Sequence, residues 1–135
     1  MKTVTVQYLG ELRVEATHEQ SGSSLITDGP LDNEGQGESF SPTDLLATAI
    51  LTSMVTMMGA AARSHQLDPG RVSGSVVKKM IDKPRRVAAL EVVLSMEGHQ
   101  LDEKGKGILE ASALSCPVTR SIHPDIQLIL TFQYQ

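Results

Sequence analysis

Residues 41–59 read SPTDLLATAILTSMVTMMG. Ser41 is a good N-cap, Pro42 suits the first helical position, and Asp44 stands at the capping-box position, though Asp is shorter than the usual Glu or Gln. Leu46, Ile50, Ser53, Met57 and Ala61 follow at helical spacing, flanked by Leu45, Ala49, Met54 and Met58. Little charge appears after Asp44 until Arg63. The spacing predicts a helix over residues 41–64. A helix apolar nearly all round is buried in a core or shared between subunits, and the second option predicts a homodimer.

Working outward, Val4, Val6 and Tyr8 alternate with polar residues, as do Leu12, Val14 and Ala16. Each run reads as a half-buried strand, with Gly10-Glu11 as the two-residue turn between them. A short third strand is expected near Leu25–Thr27. Residues 28–41, DGPLDNEGQGESFS, read as a loop, which is a surface loop or one lining a site. Downstream, Val72–Met80 is strand-like and Asp82-Lys83-Pro84 makes a turn. Leu90, Val92, Leu94 and Met96 give the clearest strand alternation. Asp102–Leu114 predicts a second helix, weakened at its start by Gly105 and Gly107. Ile126, Leu128, Leu130 and Phe132 form a last strand. This order of elements favours an α+β fold with antiparallel sheet, in one domain spanning residues 1–135.

The chain has 135 residues, 40% of them hydrophobic and 21% charged, with a net charge of −4. A domain of this size buries about two thirds of its extended-chain surface, so a core forms without disulfides or metal. The acidic balance and only four aromatic residues, Tyr8, Phe40, Phe132 and Tyr134, argue against nucleic-acid binding. One cysteine, Cys116, excludes an intramolecular disulfide and every multi-cysteine metal site. His18, His65, His99 and His123 show no metal-ligand spacing, and no phosphate-binding glycine loop occurs, so neither metal nor cofactor is expected. The N-terminus lacks the apolar core of a secretory signal, and no run reaches about 18 consecutive apolar residues. The expectation is a cytoplasmic protein without a membrane partner.

Three residues stand out for chemistry. Cys116 precedes Pro117, so it is placed to cap a short helix running to Ile122, whose positive end and Arg120 would favour a thiolate. Its plainer reading is an inert buried thiol. Ser53 is a hydroxyl on an apolar helix face, and serines there commonly bond the carbonyl one turn earlier. Arg13 shares the polar side of its strand with Glu15 and Thr17, which ordinarily means a solvated cross-strand ion pair.

Three stretches, YLGELRVEATHEQSGSSLITD at 8–28, SPTDLLATAILTSMVTMMG at 41–59 and SCPVTRSIHPDI at 115–126, resemble the signatures of the OsmC-like family. That family includes osmotically inducible protein C and the organic hydroperoxide resistance proteins. The resemblance covers essentially the whole chain. It implies an intertwined α+β homodimer, antiparallel sheets wrapped around two long central helices. It also implies a helix cysteine that attacks a hydroperoxide, an arginine from an early strand that helps polarise it, and a second cysteine that closes a disulfide. External thiols or dithiols then reduce that disulfide.

Carried over position by position, the second cysteine falls on Cys116 and the arginine on Arg13. The helix cysteine falls eleven residues after the helix proline, where this chain has Ser53. Where hydroperoxide resistance proteins carry an acidic partner for the arginine stands Thr43, with Asp44 one step on. A serine has no redox ladder comparable to a thiol, so the two-cysteine cycle is closed to this chain. The expected function is therefore a thiol-dependent, organic-hydroperoxide-reducing protein that is impaired or works through one cysteine. The alternative is a non-enzymatic protein holding a small hydrophobic ligand at the dimer interface, beside Ser53 and the methionines of the helix.

Overall fold

The computed structural model describes residues 1–135. The chain forms two compact units, Met1–Leu46 and Ala47–Gln135. The fold is α+β, with two helices and two three-stranded sheets.

In the first unit, β1 (Val4–Gly10), β2 (Arg13–His18) and β3 (Ser24–Asp28) form an antiparallel sheet in sequence order. The first turn lies one residue later than the sequence suggests. Gly10 pairs with Arg13, so Glu11 and Leu12 make the turn, with φ of 55° and 62°. Positive φ at both central residues is the twist a tight hairpin needs. The Leu12 N–H donates to the Tyr8 hydroxyl at 3.2 Å, which helps hold this geometry. Residues 29–40 are irregular apart from a 3-10 turn at Leu31–Asn33, but they are tied down. The Gly29 N–H donates to the Leu12 carbonyl and the Asp28 N–H to the Phe40 carbonyl.

No apolar side chain of this unit is fully buried; its buried residues are Thr27, Asp28 and Ser41. Val6 and Tyr8 stay 68% and 63% exposed. A small sheet needs a hydrophobic face packed on something, and this one leaves its apolar residues in water.

Helix α1 (Pro42–Ser64) starts in the first unit and runs on through the second. Its start is a reciprocal capping box: the Ser41 N–H donates to Asp44 Oδ2 at 2.9 Å, and the Asp44 N–H donates to Ser41 Oγ at 3.1 Å. Asp is thus long enough here. The buried positions are Ala47, Ile50, Met54, Met58 and Ala62, a single stripe at helical spacing. Over its most apolar window the mean hydropathy is 1.8, which meets the length and composition of a membrane span. The expectation of no such segment counted only unbroken apolar runs. Thr48, Thr52, Ser53 and Thr56 interrupt the run without lowering the mean enough, and core helices pass the same test.

In the second unit β5 (Arg86–Glu97) lies between β4 (Arg71–Ile81) and β6 (Gln127–Tyr134). β4 pairs antiparallel with β5, as the hairpin reading requires. β6 pairs parallel with β5, the one departure from an antiparallel layout. Helix α2 (Glu103–Leu114) carries the chain back along the sheet before β6 begins, and such a crossover yields a parallel pair. The cap of α2 is Asp102, which accepts the Gly105 N–H at 2.7 Å. A Cβ on Gly105 would sit 3.2 Å from that same carboxylate oxygen, so the glycine that weakens the helix also makes room for its cap.

Leu90, Val92, Leu94 and Met96 are buried, as their alternation predicts. α1 lies against this sheet where Gly74 leaves space. A Cβ there would meet Leu51 Cδ1 and Leu94 Cδ2, each at 3.0 Å. α2 is fastened to β6 by the Tyr134 hydroxyl, which donates to Glu110 at 2.6 Å. Leu94 has no exposed surface and backs the α1 contact. Leu94→Ala is therefore expected to cost about 2–5 kcal/mol, read as a lower denaturant midpoint with unchanged slope.

Candidate functional site

α2 ends at Leu114, and Cys116 follows the C-cap Ser115. Leu109 and Ala113, both fully buried, pull the end of the helix into the core, and Cys116 goes with them at 0% exposed. The short helix expected after Pro117 is not an α-helix. It is a turn leading into a single 3-10 turn at Thr119–Ser121. The capping role is nonetheless filled by sulfur: the Thr119 N–H donates to Cys116 Sγ at 3.4 Å, and the Thr119 hydroxyl lies 2.9 Å from it.

The Ser53 hydroxyl, in the middle of α1, is the largest of the polar influences that lower the pKa of the Cys116 thiol. Burial pushes the thiol pKa up. Hydrogen bonding from the Ser53 and Thr119 hydroxyls and from the Thr119 and Val118 N–H groups outweighs it, leaving the pKa below that of an ordinary cysteine. The cause differs from the one the sequence suggested. One 3-10 turn carries little dipole, and the Arg120 side chain is exposed while its N–H goes to the Cys116 carbonyl. Ser53 differs from its neighbours as well. Thr52 and Thr56 bond the carbonyls one turn earlier at 2.8 Å each, whereas Ser53 faces the sulfur.

Arg13 lies in the first unit, on β2, directly across the ladder from Asp28. Its Nη2 reaches Asp28 Oδ2 at 3.4 Å and also contacts the Glu38 carboxylate. The pair is cross-strand, but its acid is not solvated: the Asp28 side chain is 0% exposed, against 67% for Glu38. Asp28 Oδ2 also accepts the Glu38 N–H at 2.9 Å. That backbone hydrogen bond is the main cause holding the Asp28 carboxyl below the usual carboxylate range; burial opposes it and the Arg13 guanidinium adds to it. Asp28 and Glu38 escaped the sequence reading because both sit in the segment read as a polar loop. The available signal was register, since a hairpin of this length sets Asp28 opposite Arg13.

Cys116 is thus a thiol whose sulfur is held by the Thr119 hydroxyl and N–H, with Ser53 also lowering its pKa, a setting suited to stabilise a thiolate. Removing one donor should weaken that effect. Ser53→Ala is expected to move the pH dependence of Cys116 alkylation by iodoacetamide to higher pH; an unmoved profile would show that Ser53 does not tune the thiol.

The chain as a whole has relatives among known proteins. Residues 35–131 match the family model described as OsmC-like protein. The chain is 43% identical to a Psychrobacter arcticus 273-4 protein of known crystal structure designated for osmotic stress induction and detoxification response, covering 98% of this chain and 96% of that one, with a TM-score of 0.92. Its fold is also shared with an organic hydroperoxide resistance protein OsmC from Legionella pneumophila (17% identity, 96% and 94% covered, TM-score 0.73). The organic hydroperoxide resistance protein OhrB of Bacillus subtilis is similar at 17% identity, with 96% and 95% covered and a TM-score of 0.65. No curated protein sequence matches the chain. On the extent of the family match and the 43% identity over nearly the full length, the chain belongs to the OsmC-like family.

Proposed function

We propose that the chain is a one-cysteine, thiol-dependent organic hydroperoxide reductase in which Cys116 is the reacting thiol, Ser53 its hydrogen-bonding partner and Arg13 the polarising cation. The observation that carries this reading is the buried sulfur of Cys116, held by the Thr119 hydroxyl at 2.9 Å and the Thr119 N–H at 3.4 Å, contacts that favour the thiolate. The family match and the hydroperoxide resistance names of two structural relatives support the substrate class.

The Cys116 thiolate attacks the terminal oxygen of R–O–O–H. The S–O bond forms as the O–O bond breaks, sulfur is oxidised to sulfenic acid, and the alkoxide leaves as ROH with the proton the thiol gave up. An external thiol then attacks sulfur, expelling water and forming a mixed disulfide. A second external thiol, or the second sulfur of a dithiol, releases Cys116 as the thiol. The sum is ROOH plus two thiols giving ROH, water and one disulfide.

Full burial of Cys116 means that a hydroperoxide reaches it only when the flanking turn opens. Pro117, Arg120 and Ser121 are exposed, and such a short turn is a low-cost opening.

The working form in this reading is a homodimer of one OsmC-like domain per chain. The uncovered apolar residues of β1–β3 support it, since a second copy would supply the missing cover. The family match runs from residue 35 to 131, across the boundary between the two units. Of the methionines that the ligand-binding alternative invokes, Met54 and Met58 are core side chains with almost no exposed surface, and only Met57 is half-buried.

The test is consumption of cumene hydroperoxide with a dithiol. The unmodified chain is expected to turn over slowly, Cys116→Ala to abolish turnover, and Ser53→Cys to speed it by restoring a two-cysteine cycle. Activity only in Ser53→Cys would overturn the one-cysteine reading.

A further inference from the structure

We propose that Asp28 is the positioning residue of Arg13, and that Glu38 is an exchangeable partner, released from the guanidinium when a substrate oxygen takes its place. The proposal rests on the reading of Arg13 as the cation that polarises the hydroperoxide.

The two carboxylates on Arg13 differ in every relevant respect. Asp28 is buried on β3, directly opposite Arg13 in the ladder, and its Oδ2 holds both Arg13 Nη2 and the Glu38 N–H. Its other oxygen, Oδ1, is buried with no hydrogen-bond partner. Leaving a buried carboxylate oxygen unsatisfied is costly, and packing gives no reason to keep an acid there. Glu38 is anchored through its backbone, by the bond to Asp28, while its carboxylate lies out in solvent. The carboxylate can therefore swing away without the segment letting go of Asp28.

Both acids also contact the same nitrogen, Nη2. Sharing Nη2 leaves the other N–H donors of the half-buried guanidinium without a contact to either acid. Charge decides when that helps. With both acids in place the cluster carries a net charge of about −1, which opposes negative charge developing on a leaving oxygen. With Glu38 swung out the Arg13–Asp28 cluster is neutral and no longer opposes such charge. Thr43, at the family's acidic position, leaves this task to the β3 end and the segment after it.

The experiment follows hydrogen exchange of the Arg13 Nη–H protons by low-temperature NMR in the full chain, assigned with Arg13→Lys, because Nη2 is the nitrogen both acids contact. In the unmodified protein, protection should change less than about fivefold on going to about 1 M salt, because salt screens the exposed Glu38 pair but hardly the buried Asp28 pair. Asp28→Asn should lose protection by about tenfold or more, and Glu38→Gln by less than about fivefold. If salt or Glu38→Gln strips the protection, Glu38 rather than Asp28 holds Arg13 and the proposal is overturned. The salt series needs no variant, so a misfolded Asp28→Asn does not block the answer. In the hydroperoxide assay Glu38→Gln should lower KM with kcat retained, whereas Asp28→Asn should lower kcat, a split that general destabilisation does not produce. Absence of any turnover overturns the catalytic role, while the NMR result separately decides whether Asp28 holds Arg13.

Discussion

The burial of one stripe of α1 fixes the rest of the second unit. Ala47, Ile50, Met54, Met58 and Ala62 share that stripe, and together they set the rotation of the helix about its axis. Ser53 stands next to Met54 in the chain, so it lies about 100° around the helix from the centre of the buried face. Gly74 sets the depth, because the missing Cβ lets Leu51 reach the sheet beside Leu94. α2 provides the other coordinate: Leu109 and Ala113 draw its C-terminus inward and leave Cys116 beside the serine. A turn of α1 by one residue would break the packing and move Ser53 away from its present place.

The same packing sets the chemistry that remains open. A sulfur buried without donors would keep its proton and behave as a small hydrophobe. The Thr119 hydroxyl and N–H at the sulfur offset that balance at Cys116, and Ser53, where the family resemblance implies the helix cysteine, also lowers the thiol pKa. Serine there cannot be oxidised as a thiol is, but its hydroxyl can still stabilise negative charge.

Much of the scaffold is legible along the chain because local rules specify it. The alternation in β5, the Ser41–Asp44 capping box and the boundaries of α1 and α2 each follow from spacing of residue types. Misreadings fall where one pairing overrides local preference. The Gly10–Arg13 pair moves the first turn onto Glu11–Leu12, and the crossover through α2 makes β6 parallel. The candidate site is less legible, because its contacts join distant positions. Neither Ser53 with Cys116 nor Arg13 with Glu38 follows from any period or motif. Asp28 was hidden in plain composition, as one acid among several in a polar segment. The resemblance supplied the three site positions, and only the fold shows which partners they take.

The central claim is that Cys116 is a reactive thiol despite its burial. Mass spectrometry of the folded chain after treatment with one equivalent of cumene hydroperoxide, with dimedone present to trap sulfenic acid, tests it most directly. The account predicts a single dimedone adduct mapped to Cys116, formed faster at higher pH as the thiolate fraction rises. An unmodified Cys116 in protein that remains folded would contradict it, and the residue would then be an inert core thiol.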